Sequence, residues 1–338
     1  MFVGSDLYYT PFSQFYASST QIIDSNRTLW SYSKNSATKT DTSSRVEQVY
    51  SAVNTCYVID EDKIVWQKIN SDKEFTPIKS LPEIKSMAVG NFCKLFLDLE
   101  GNVWHTTPKD PVPEKLQGLP PIQMVTTSTS EKKNALGHSL LLDYDGVVWG
   151  RGDNDVGQLG LGIKPWIRDQ SCPLPNLPPI ASVSTSGSHS LLLDVKGNVY
   201  AAGSNINGQL GMWDVKYNMR AHEPQKIDFL PPIDKLKAGL EYSLLIDCEK
   251  RLWGTGKNTR GQLGNNTKES LCNPQIIQDN CLHVHAHYDT TILKTDGSLW
   301  QTGPGTNGNL LTQMDFHDAM LPSRGKKLKS ARKVVSNN

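Results

Sequence analysis

Three histidines and a cysteine alternate with other residues in CLHVHAHY, residues 281–288. On a strand, where side chains alternate sides, Cys281, His283, His285 and His287 would share one face. Imidazoles and a thiolate in such a row are zinc-ligand chemistry. A second candidate is the glycine-rich run from Asp145 to Gly162, DGVVWGRGDNDVGQLGLG. A glycine-rich loop after a short β-type run is what a phosphate-cradling nucleotide site would show. Beside these two, no Ser-His-Asp spacing, pair of catalytic carboxylates or GxxxxGK[ST] element stands out. What either stretch can do depends on the elements that carry it and on whether it occurs once.

The glycine-rich run recurs. Related segments are DVKGNVYAAGSNINGQLG (194–211), DCEKRLWGTGKNTRGQLG (247–264) and KTDGSLWQTGPGTNGNLL (294–311). A cofactor fingerprint is needed once or twice, whereas four copies make a structural unit, and internal repeats take precedence over every other reading. Upstream, the element that ends each apolar run recurs as DSNRTLW (24–30), DEDKIVW (60–66) and DLEGNVW (98–104). Trp30, Trp66, Trp104, Trp149, Tyr200, Trp253 and Trp300 are thus seven anchors, spaced 36, 38, 45, 51, 53 and 47 residues apart.

Each unit reads as three or four short strands joined by Gly, Pro, Asn and Asp turns, with no sustained helical period. One such unit cannot bury both of its faces, but units packed radially can. The expected fold is all-β, a seven-bladed β-propeller of four-stranded antiparallel blades. Within the unit, the anchor aromatics would wedge between blades. Asn154, Asn205 and Asn258 would form Asx-type turns. Gln158, Gln209 and Gln262 would satisfy loop backbone groups. Leu159, Leu210 and Leu263 would plug the gap beneath the loop. The glycine-rich loop is therefore architecture, and no cofactor is expected. Aligning the repeats places His283 and His285 at the packed positions of Val183 and Thr185, so a structural or partner-contacting histidine row is expected in place of a metal site.

The run Gly-x-x-His-Ser-Leu-x-Leu-x-x-x-Gly-x-Val-Trp-x-x-Gly-x-Asn-x-x-Gly-Gln-Leu-Gly resembles the repeat of the regulator of chromosome condensation family. The likeness is close over 135–162 and 186–211, good over 239–264 and partial over 286–311. The first three units keep the strand-and-anchor half and lack the Gly-Gln-Leu-Gly half. The resemblance independently implies a seven-bladed propeller. FVGSD (2–6) and PSRGKKLKSA (322–331) resemble strands of a blade, so the ends are expected to pair in one composite blade that closes the ring and removes exposed sheet edges. Residues 1–331 then form a single domain, with 332–338 as a short basic and polar tail.

The 338 residues carry a formal net charge of +1, which gives no whole-molecule attraction to nucleic acid or to an anionic membrane. No eighteen-residue apolar run and no basic-then-apolar leader is visible, so a chain that is soluble, monomeric and not secreted by a signal peptide is expected. Six cysteines without CxxC pairing suit free thiols in a reducing compartment, cytoplasm or nucleus. The basic stretch KKLKSARKVV (326–335) reads as a solvated end, with a targeting signal as the alternative.

Two tryptophans are not anchors. Trp166 in LGIKPWIRD and Trp213 in MWDVKYNMRAHE each follow a Gly-Gln-Leu-Gly motif within the two longest intervals, so the loops should meet on one face. Trp, Tyr and Arg are enriched at interface hot spots. Trp166, Arg168, Trp213, Lys216, Tyr217 and Arg220 form the candidate protein-binding patch, with simple packing of the long loops as the alternative. A polar excursion, TTSTSEKKN (126–134), is a further departure on which function could ride. By the family resemblance, His138 and His189 join the candidates, because some histidines at this motif position in the founding exchange factor face its GTPase. Their bland role is to fix the blade edge.

The resemblance implies a protein-interaction propeller whose most specific form is guanine-nucleotide exchange on a small GTPase of Ran type. Such an activity makes no covalent bond and needs no catalytic residue. The alternatives are a non-exchange scaffold, inhibitor or chromatin-associated adaptor, and last a metal-dependent enzyme. Histone or nucleic-acid contact is not indicated by the charge.

Overall fold

The computed structural model describes residues 8–10, 19–23, 27–33, 36–40, 42, 44–51, 55–69, 74–90, 93–107, 110–128, 137–162, 166–212, 219–303 and 308–313. Their strands assort into seven four-stranded sheets, each an antiparallel meander of one continuous stretch: 8–39, 46–77, 84–115, 122–173, 180–226, 233–278 and 281–313. The first strand of each sheet packs on the first strand of the next, so the sheets follow one another as blades around an inner edge. The architecture is an all-β propeller of four-stranded antiparallel blades.

Why the repeat folds this way is visible in the Asp-x-x-x-x-x-Trp element. In the third sheet Asp98 accepts the backbone N–H groups of Glu100 (3.0 Å) and Asn102 (2.8 Å) on Oδ1, and the Trp104 indole N–H (3.1 Å) on Oδ2. Asp143 and Asp247 repeat the pattern with Trp149 and Trp253, both at 2.9 Å. One carboxylate thus fixes the turn after the second strand and the tilt of the anchor ring on the third. The last sheet has Lys294 where the others have Asp, and there Trp300 donates instead to Ser298 Oγ at 2.8 Å.

The anchors wedge between blades as expected. Trp66, Trp104, Trp149, Tyr200, Trp253 and Trp300 each pack on the apolar cluster shared with the preceding sheet. Six such clusters seal the six junctions between successive sheets. Burial of this kind contributes about 25 cal/mol per Å² of apolar surface and is what unites units that cannot fold alone.

A β-bulge early in the inner strand recurs, between Ile122 and Met124, Ile180 and Ser182, Ile233 and Lys235, and Cys281 and His283. The extra residue lets the first and fourth positions bury together, as Ile180 and Val183 or Ile233 and Leu236 do.

The expected ring closure has a different standing. The segments 2–6 and 322–331 lie outside the described residues. No described sheet mixes strands from the two ends, since the first is built wholly from 8–39 and the last from 281–313. Among the described residues the first and last sheets also show no packing comparable to the six sealed junctions. A composite blade is therefore not part of the described propeller.

Candidate protein-interaction surface

The blade end that carries the Gly-Gln-Leu-Gly loops is built by local hydrogen bonds. Leu159, Leu210 and Leu263 donate their backbone N–H to Asn154, Asn205 and Asn258 Oδ1 at 2.8–2.9 Å. Gln158, Gln209 and Gln262 Oε1 accept from Val156, Asn207 and Arg260 N–H at 2.9–3.0 Å. The three leucines are 0 % exposed. Each loop is therefore a rigid post, as the sequence implies.

A second system ties these posts across blades. His138 Nε2 lies 2.9 Å from Ser190 Oγ of the next sheet, and Ser190 Oγ donates to the Gln158 carbonyl at 2.7 Å. His189 repeats this with Ser243 (3.0 Å) and the Gln209 carbonyl (2.6 Å). Tyr242 takes the same place against Thr290, which donates to the Gln262 carbonyl at 2.6 Å. Because each serine uses its only proton on a carbonyl, it must accept from the histidine, which places the ring proton on Nε2. Both Nδ1 atoms are buried without a partner. Burial pushes the pKa of each ring from 6.5 down to about 3, and for His138 the nearby His189 adds to the effect. A second proton would have to sit on an Nδ1 with no acceptor.

This geometry corrects the reading of His138 and His189 as partner contacts. They are 1 % and 0 % exposed, and the blade-fixing role is the one the structure assigns. The sequence carried a signal for the relay that motif reading missed: in the last four sheets the residue after the Gly-x-x-His position is Ser139, Ser190, Ser243 or Thr290, each a hydroxyl. A hydroxyl in an otherwise Leu-rich buried strand needs a polar partner.

The metal reading of Cys281, His283, His285 and His287 is also clarified. The bulge after Cys281 breaks the simple alternation: Cys281 is buried in the apolar cluster with Tyr242, His283 is exposed, and His287 lies beyond the strand Cys281–Ala286. Among the described residues no three Cys, His, Asp or Glu side chains gather around one point. Register also shifts the repeat alignment by one residue. His283 matches Ser182 and His285 matches Ser184, not Val183 and Thr185, which turns both rings to the opposite face.

Of the expected patch, the structure describes the backbone of Trp166, Arg168 and Arg220. Trp166 opens the outermost strand of the fourth sheet opposite Asp153, and Arg220 opens that of the fifth opposite Ser204, the equivalent position. Arg168 lies two residues along the first of these strands. Arg220 is exposed. Trp213, Lys216 and Tyr217 lie outside the described residues. The excursion of the fourth unit leaves and returns at this same blade end: Ser128 N–H bonds the His138 carbonyl (2.8 Å), and Asp153 N–H bonds the Gly137 carbonyl (2.9 Å). Sequence reasoning missed two further residues there. Ile206 and Met219 are 59 % and 56 % exposed beside the Asn205 post, whose N–H bonds the Met219 carbonyl. Exposed apolar side chains on a rigid loop are a mark of interfaces.

Comparison with known proteins follows from these repeats. The regulator of chromosome condensation (RCC1) repeat family matches residues 145–193 and again 180–209. Residues 145–209 thus carry RCC1-type repeats. The protein RCC2 homolog of Xenopus laevis is 33% identical over 171 residues, 48% of this chain and 32% of that protein. The X-linked retinitis pigmentosa GTPase regulator of Homo sapiens is 32% identical over 141 residues, 41% of this chain and 14% of its own length. The matched stretch thus spans about a third or less of these relatives. The solved structure of Prp20p from Saccharomyces cerevisiae, described with its binding to Gsp1p and histones, aligns with TM-score 0.66 at 18% identity, covering 78% of this chain and 75% of that one. That likeness establishes the propeller fold. No disulfide joins any of the six cysteines. Among the described residues no helix is long and apolar enough to cross a membrane.

Proposed function

We propose that this RCC1-like chain is a protein-binding propeller that engages its partner through the blade end bearing the Gly-Gln-Leu-Gly loops, and that the partner is a small GTPase. The observation that carries the reading is the convergence of three sequence departures on that end: the excursion after Thr126, the long loop before Trp166 and the long loop before Arg220. The exposed Ile206 and Met219 add apolar surface beside them. Exchange on a GTPase would need no bond chemistry from the propeller. A surface that binds the nucleotide-free form more tightly lowers nucleotide affinity by the same factor. The resemblance to GTPase regulators supports this form of the proposal by association.

The test is release of a fluorescent GDP from a panel of Ran, Rab and Rho GTPases. Acceleration by the native chain, lost by at least about thirtyfold in a folded Trp166→Ala/Trp213→Ala variant, is the expected result, the loss corresponding to a hot spot of about 2 kcal/mol. Unchanged release across the panel, with other proteins still captured by the native chain, would favour a scaffold or adaptor. Capture unaffected by the double substitution would remove the patch from the proposal.

The same reading takes residues 1–331 as one propeller of seven blades closed into a ring, with 332–338 as a tail. Seven sheets joined by six sealed junctions support it. End-on electron-microscopy class averages are expected to show seven sectors. An open arc, or another number, would refute the ring.

A further inference from the structure

The inner strands of the sixth and seventh sheets, Ile233–Ala238 and Cys281–Ala286, read IDKLKA and CLHVHA. Pairing with the second strand puts their basic residues at matching levels. Lys235 opposes Ile246 as His283 opposes Leu293, and Lys237 opposes Leu244 as His285 opposes Thr291. From the second to the fifth sheet both levels are uncharged, for instance Gln48 and Tyr50, or Ser182 and Ser184. The basic character is confined to two adjacent strands.

In the second and fifth sheets, side chains at these levels reach across to the next inner strand. Tyr50 Oη accepts the Met87 N–H (3.3 Å), and Ser184 Oγ accepts the Ala238 N–H (3.1 Å). Lys235 behaves similarly, donating to the Leu282 carbonyl at 2.9 Å with both His283 ring nitrogens 3.3 Å away. Lys237 does not. It is partly buried, burial lowers its ammonium pKa, and no charged group offsets this. Among the described residues none makes a hydrogen bond or ion pair with Lys237. Beside it, His285 Nδ1 is buried without a partner, and the ring is held well below 6.5 by burial and by the charge of Lys237. The nearby carboxylate, Asp234, is committed to Lys250 at 2.8 Å. Asp234 thus serves Lys250 and Lys235, and no carboxylate acts on Lys237. A cation drawn out of water and left uncompensated is costly. The wall is complete for a ligand that brings negative charge.

The spacing selects the anion. Two levels on one strand are about 7 Å apart. A lone carboxylate touches one level, whereas a diphosphate presents oxygens to both. We propose that Lys235 and Lys237, with His283 and His285 alongside, bind a diphosphate group at the inner edge of the sixth and seventh sheets. This site is independent of the blade-end surface.

Calorimetric titration and thermal melting of the full chain with inorganic pyrophosphate test it. Saturable binding and a rise in Tm with concentration are expected, since a ligand that binds only the folded form stabilises it by mass action. Lys237→Met keeps the stem and removes the charge. It is expected to fold with an unchanged or higher Tm and to weaken pyrophosphate at least about tenfold, a loss of about 1.4 kcal/mol. Lys235→Gln is a second variant with the same expected direction, and Lys68→Met on the second sheet is the control that binds normally. Comparing pyrophosphate with ADP separates a free diphosphate from one carried on a nucleoside. No heat or Tm rise at millimolar pyrophosphate, undiminished binding in both lysine variants, or equal binding of tricarballylate would overturn the proposal.

Discussion

Lowering the pH from 7 to 5 is expected to destabilise the fold by about 4 kcal/mol through His138 and His189 alone. Both rings are neutral when folded, with a pKa of about 3, while the unfolded chain takes up a proton at 6.5. The folded state therefore binds fewer protons. Stability is fully present above 6.5 and falls as the pH drops toward 3, by about 2 kcal/mol per ring at pH 5. The turn carboxylates Asp98, Asp194 and Asp247 act in a separate window. Hydrogen bonds to their charged forms hold them below the usual carboxylate range against the opposing effect of burial, so their contribution is lost only in stronger acid. Denaturant titration of the native chain and of His138→Gln/His189→Gln at both pH values distinguishes the two. The native chain should lose the stated amount and the variant less than half of it. Equal losses would mean that these rings are not held neutral by the junctions.

Gly208→Ala is expected to cost about 3 kcal/mol or more, from strain and overpacking together. Gly208 has φ +85°, where a Cβ is disfavoured, and an added Cβ would stand 2.7 Å from both Cys272 Cα and the Leu271 carbonyl of the next blade. Gly157 stands against Ala221 and His222 in the same way one junction earlier. Both neighbours are backbone of a paired strand and cannot move aside without parting the blades. Gly297→Ala is the matched comparison, because its φ of +82° is nearly the same and nothing lies within 4 Å. It should show the backbone penalty alone, about 1–2 kcal/mol. Denaturation midpoints of the two variants decide the matter, and equal costs would show that the loop does not press on the next blade.

Much of the blade was legible in the chain itself because its decisive bonds are short in sequence. Asp98 fixes a turn and an anchor within six residues, and Asn205 fixes Leu210 within five. Such bonds recur wherever the residues recur, so repetition alone revealed the unit, its strands and the structural role of the glycine-rich loop. The same locality explains why the anchors were read correctly as wedges, since a ring tilted by its own turn meets whatever blade precedes it.

Position across blades was decided elsewhere. Whether His138 faces a partner or Ser190, 52 residues away, depends on how one sheet is rotated on the next, and packing chose the buried arrangement. The hairpin between Ala286 and Thr290 is one residue shorter than the equivalent one between Thr185 and Ser190, which moved His283 and His285 off the face that repeat alignment assigned to them. The sequence by itself determined a repeated four-stranded blade, because period-two burial and turn chemistry act over a few residues. Only the tertiary structure decided which polar side chains the blades bury against one another and which basic ones stand unpaired at the inner edge. Those outcomes depend on distances between segments that the chain brings together only on folding.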